Sequence, residues 1–79
     1  MVKLAEALGG EGTRVHLLWR DLTSDAFPAE NVFLEGGRLF VVNDAGSKVL
    51  SERYVSRAKV KGGWWKFVGP DKVFHVKID

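Results

Sequence analysis

The sequence predicts an all-β or β-rich α+β fold: a small antiparallel barrel or roll of about six strands, ending in a three-stranded C-terminal meander and beginning with a short helix. Three observations carry this expectation. Apolar residues come in short runs that mostly alternate with polar ones, as on half-buried strands. Two glycine pairs, Gly36-Gly37 and Gly62-Gly63, each separate two such runs, as tight hairpin turns do. Aromatic residues form 11% of the chain, and each buried ring removes roughly 150–250 Å² from water, so a few can hold a thin core together. A mixed sheet with the helix on one face is the alternative arrangement.

With 79 residues, the chain suits one domain spanning positions 1–79. A domain of this size buries only about 60% of the surface its unfolded chain exposes, which makes the aromatic content matter. There is no cysteine, so disulfides, thiol catalysis and cysteine-ligated zinc are excluded. The start, Met1 to Leu8, lacks the apolar run of a signal peptide and is interrupted by Glu6; nowhere are there ~20 consecutive apolar residues to span a bilayer. A cytoplasmic protein without membrane association is expected.

Taken in chain order, Val2, Ala5 and Leu8 share one face of a short helix stopped by Gly9-Gly10. Residues 13–22 read as a strand, with Val15, Leu17 and Trp19 on one side and Arg14, His16 and Arg20 on the other. Leu18 and Leu22 break the alternation on the polar side. Residues 23–30, with Ser24, Asp25 and Pro28, read as a loop. A two-residue turn at Gly36-Gly37 sets Glu35 opposite Arg38, Leu34 opposite Leu39, Phe33 opposite Phe40 and Val32 opposite Val41. Both faces of that hairpin are then apolar, so one meets the core and the other needs a cover: the helix, another sheet or a second copy in a homodimer. Residues 44–47 read as the next turn, followed by strands over 48–51 and 54–61. Their register is left open, as is whether Glu52-Arg53 is a bulge or a break.

The last third is the most explicit. A two-residue turn at Gly62-Gly63 pairs Lys61 with Trp64, Val60 with Trp65, Lys59 with Lys66, Ala58 with Phe67 and Arg57 with Val68. Gly69-Pro70-Asp71-Lys72 suits a four-residue type I turn, pairing Val68 with Val73, Phe67 with Phe74, Lys66 with His75, Trp65 with Val76 and Trp64 with Lys77. Trp65 then falls on the core face with Ala58, Val60, Phe67, Phe74, Val76 and Ile78. The opposite face collects Arg57, Lys59, Lys61, Trp64, Lys66, His75 and Lys77, which are the candidate nucleic-acid-binding residues.

Residues 1–47 hold four basic and seven acidic side chains, and residues 48–79 eight basic and three acidic. A basic second half points to an anionic partner. Lys59 opposite Lys66 sets like charges against each other, which a sheet pair does not favour and a polyanion would explain. Lysine and arginine on phosphates with tryptophan under a base suit DNA or RNA, and four or five cations acting together imply a salt slope of roughly −3 to −4. The same lysines are also ordinary on solvated strands, and an acidic protein partner fits the same charge. His16 and His75 lack metal-ligand spacing, and Gly9-Gly10-Glu11-Gly12 lacks the Lys-Ser/Thr ending of a phosphate loop. No catalytic residue, metal site or cofactor is expected. The function expected is a non-enzymatic binding module; a protein-interaction or regulatory subunit acting through the apolar hairpin is the alternative.

Overall fold

The computed structural model describes residues 2–53, 56–68 and 73–79, and within these all side chains but those of Ser56, Arg57, Lys61 and Val73. Among the described residues the chain forms nine strands and one short helix: β1 (Val2–Lys3), α1 (Leu4–Leu8), β2 (Arg14–Leu18), β3 (Ser24–Pro28), β4 (Val32–Glu35), β5 (Arg38–Asn43), β6 (Gly46–Ser51), β7 (Ser56–Lys59), β8 (Trp64–Val68) and β9 (Val73–Ile78). They build two antiparallel sheets, ordered β1-β4-β5-β6 and β3-β2-β9-β8-β7. The β-rich class agrees with the sequence, but two sheets replace the expected barrel of about six strands. The chain crosses between sheets through a 3-10 turn at Ala29–Asn31, and again between β6 and β7, so Glu52-Arg53 belongs to a break rather than a bulge.

The first sheet follows the glycine turn. Gly36 and Gly37 both have positive φ (57° and 81°), a backbone open to glycine without steric cost, and the register is Val32–Val41, Phe33–Phe40, Leu34–Leu39 and Glu35–Arg38 as expected. Arg38 turns its guanidinium to Glu52 at 3.8 Å. Asn43 accepts the Ala45 N–H on its Oδ1 at 2.9 Å, closing the Asp44-Ala45 turn between the paired Asn43 and Gly46. A bulge between Leu39 and Phe40 opposes Ser51 to Leu39 and Val49 to Phe40, and leaves Leu50 buried.

Side chains from both sheets meet in one core. Val32, Leu34, Leu39, Val41 and Leu50 come from the first sheet, Val15, Leu17, Phe67, Phe74 and Val76 from the second. Phe74 packs its ring against Phe67 and Trp19, with centroids 5.6 Å and 5.0 Å away. The helix contributes Leu4 and Leu8, four residues apart on one face. The expected face of Val2, Ala5 and Leu8 is therefore wrong: Val2 belongs to β1, is 47% exposed and pairs with Leu34. At only five residues the helix depends on this docking.

Two further expectations change. The strand over 13–22 stops at Leu18, and the supposed loop over 23–30 contains β3, paired with β2 from Arg14–Pro28 to Leu18–Ser24. β3 is an edge strand with four of its five residues exposed, so no buried period marks it in the sequence. Pro28 is tolerated because it sits at the strand end on that edge.

The C-terminal meander is half as expected. All five β8–β9 pairs match, from Trp64–Lys77 to Val68–Val73, although the turn at 69–72 lies outside the described residues. The β7–β8 register does not match. Ser56 pairs with Val68, Arg57 with Phe67, Ala58 with Lys66 and Lys59 with Trp65, while the Val60 N–H donates to the Trp64 carbonyl at 2.7 Å. The turn takes three residues, Lys61–Gly63, with Gly62 and Gly63 both at positive φ. One extra turn residue exchanges the two faces of β7. Lys59 now opposes Trp65, Ala58 opposes Lys66, and the juxtaposition of Lys59 and Lys66 does not occur.

Candidate functional site

The outer face of the five-stranded sheet is set by the residues that alternate with its core positions. On β2, Val15 and Leu17 are buried, which directs Arg14, His16 and Leu18 outward. On β9, Phe74 and Val76 are buried, and His75 and Lys77 face the other way. On β8, Phe67 is buried and Trp65 packs against the core, leaving Trp64, Lys66 and Val68 outside. Cross-strand pairing then aligns two rows. His16 pairs with Lys77, and Lys77 with Trp64; Leu18 pairs with His75, and His75 with Lys66. Ala26 and Ser24 of β3 continue these rows at one edge, and Val60 and Ala58 at the other.

Of the seven residues singled out in the sequence, Trp64, Lys66, His75 and Lys77 come together on this face. Lys59 does not: its ammonium lies 6.0 Å from the Trp65 ring centroid, at the edge of the sheet and in the row of core residues. Arg57 pairs with Phe67, in register with that same row. Lys61 lies in the turn. The side chains of Arg57 and Lys61 are outside the described residues. Inward-facing charge on an edge strand such as β7 discourages pairing with another chain, and the stem of Lys59 covers apolar surface.

Trp64 is half-buried and, with Leu18, forms a wall between two adjoining hollows. The smaller, about 230 Å³ and open to solvent, is also lined by Val60 and His75. The larger, about 540 Å³, takes in His16, Ser24, Asp25, Lys77 and Asp79. The Lys77 ammonium stands 6.0 Å from the Trp64 ring centroid, within reach of a cation–π attraction. His16 Nε2 lies 3.5 Å from Asp79 Oδ2, and Asp25 accepts the Trp19 indole N–H at 2.7 Å. Lys66 and Arg14 are exposed on the same face. Asp25 pairs with buried Leu17 and so turns its carboxylate to the inner side, towards Trp19, and the outer face combines an aromatic plane, apolar floor and two lysines, with the Asp79 carboxylate at one end.

The sequence reading missed Leu18, His16, Val60 and Asp79 as parts of this site. Its one signal was Leu18, an apolar residue on the polar side of a strand. At the nearby turn, Asp21 accepts hydrogen bonds from Thr23 Oγ1 at 2.6 Å and Thr23 N–H at 3.0 Å, and the side-chain bond, then the backbone one, hold its carboxyl below the usual range. Among the described residues no group of three or more His, Asp or Glu side chains could hold a metal ion. Nor, among these residues, is any helix long and apolar enough to cross a membrane. Comparison with known proteins gives no match to a family model, a curated protein or a solved structure.

Proposed function

We propose that the chain is a non-enzymatic, cytoplasmic binding module that takes a polyanion, nucleic acid, on the outer face of its five-stranded sheet. The observation that carries this reading is Trp64, half-buried between two hollows with the Lys77 ammonium 6.0 Å from its ring. Lys66, Lys77 and Arg14 supply phosphate contacts, fewer than the sequence implied once Lys59 leaves the face. Three contacts give a slope of log affinity against log salt of about −2 on a single strand, not −3 to −4. Anisotropy titrations of a labelled oligonucleotide across salt concentrations test this. Absence of binding at ~50 mM salt, where the phosphate term is large, overturns it, and binding to an acidic protein instead would reassign the face.

A second reading, protein interaction through a homodimer, is favoured by the outer face of the four-stranded sheet. There Phe33 and Phe40 stack at 6.2 Å, beside Val42 and a Val49 that is 42% exposed. Glu35 and Arg38 at the rim offer both charge signs to a second copy. Light scattering at high micromolar concentration should give a dimer mass that Phe40→Asp returns to the monomer; a monomer mass for the unaltered chain contradicts it.

A further inference from the structure

Resting on the polyanion reading, we infer that the ligand is single-stranded nucleic acid, with an unpaired base inserted against Trp64 and Leu18 while its phosphates lie over Lys66 and Lys77. A duplex keeps its bases paired and stacked and offers this face only phosphates. Those phosphates would gain Lys66, Lys77 and Arg14 but meet Asp79 at the end of the larger hollow, so charge alone gives a duplex no advantage over any other polyanion. An unpaired base uses what the lysines do not. Leu18, Val60, Trp64 and His75 line a shallow, open apolar hollow of about 230 Å³, over which a base can stack on the indole.

The Asp79 carboxylate, 3.5 Å from His16 on this face, also acquires a use. It repels phosphate but accepts hydrogen bonds from the exocyclic amino groups of bases, as acidic side chains do from cytosine. It keeps the sugar–phosphate chain on the Lys66 side and directs the base edge to the other. The spacing agrees: Lys66 and Trp64 are two residues apart on one strand, about 7 Å, so one nucleotide can reach both phosphate contact and ring.

Three probes at ~50 mM salt separate this inference from the reading beneath it: a single-stranded oligonucleotide, the same sequence as a duplex, and inorganic polyphosphate, which has no bases. The single strand should bind at least about tenfold more tightly than either of the others. Trp64→Ala should lower single-strand affinity roughly 5- to 150-fold, the worth of one stacked base, and bring it to the duplex level; Trp64→Phe should keep most of the preference. Equal binding of all three probes by the unaltered protein overturns the single-strand inference and leaves the polyanion reading standing. No binding of any probe overturns both. Because the first comparison uses the unaltered chain, it decides the matter even if Trp64→Ala folds poorly.

Discussion

The hairpin at Gly36-Gly37 and the hairpin at Gly62-Gly63 turn on the same dipeptide, yet the first uses a two-residue loop and the second a three-residue one. Both strands of the first have partners on either side: β4 lies between β1 and β5, and β5 between β4 and β6. Moving β5 by one residue would turn Leu39 and Val41, 0% and 2% exposed, out of the core. Each loss costs roughly 1.5–3 kcal/mol. In the second hairpin β7 is an edge strand, hydrogen-bonded among the described residues to β8 alone. A shift there exchanges Lys59 for Val60 beside Trp65, and a lysine stem can cover the ring nearly as a valine does. Register is therefore firm where both neighbours and the core depend on it, and negotiable at an edge.

The largest effect should come from the same change made in an interior strand and in an edge strand. Leu39→Asp, which buries a carboxylate in β5 at a fully buried position, should cost about 4–5 kcal/mol or more, comparable with the whole stability of so small a domain. Lys59→Asp, on the exposed edge strand β7, should cost about 1 kcal/mol or less, as changes away from the core do. Denaturant melts compare them, and equal losses would remove the distinction between interior and edge.

Next in size are the two faces of β8. Phe67→Ala, at a fully buried position, should cost about 3–5 kcal/mol. Trp64→Ala should cost about 1 kcal/mol or less, with the partly buried Trp65 between them. A Trp64→Ala loss as large as that of Phe67→Ala would mean the outer face is covered.

These contrasts also explain what was legible. Wherever a turn of known length joined strands with buried alternation, as from Val32 to Val41 and from Trp64 to Lys77, pairing could be written residue by residue. β3 was hidden because its residues are mostly exposed, and its pairing with β2 rests on the backbone. The slip of β7 was hidden because Arg57, Ala58, Lys59 and Val60 alternate equally well in either register. In the site, Trp64, Lys66, His75 and Lys77 were found because they lie on the two firmly paired strands. Leu18 and Asp79 arrive through β2–β9 pairing, which no short turn between the two strands announces.

A third turn, between β2 and β3, sharpens the role of glycine. It places Leu22 at φ 71° and 82% exposed, a backbone strained for leucine. Leu22→Gly should stabilise the fold by about 0.5–1 kcal/mol, the relief of strain exceeding the entropy that glycine loses on folding; a loss of stability would show that the side chain has a partner. The smallest effect concerns Asp21 in that turn. Its lowered folded pKa means the stability it contributes is present above the ordinary carboxylate value and is lost as pH falls through the lowered one. Asp21→Ala should thus weaken the fold slightly at neutral pH and not at all in strong acid, as melts at the two pH values will show.

Lys66 and Lys59 offer the most direct test that the outer face, in the three-residue register, is the binding surface. Lys66→Glu and Lys59→Glu change the net charge of the protein identically, so only position distinguishes them. Salt titrations of single-strand binding by the two variants are the measurement. The structure predicts that Lys66→Glu weakens binding and makes the salt slope shallower by about 0.7, one phosphate contact, while Lys59→Glu leaves the slope unchanged. Equal loss of slope in both variants, or loss in Lys59→Glu alone, would contradict it.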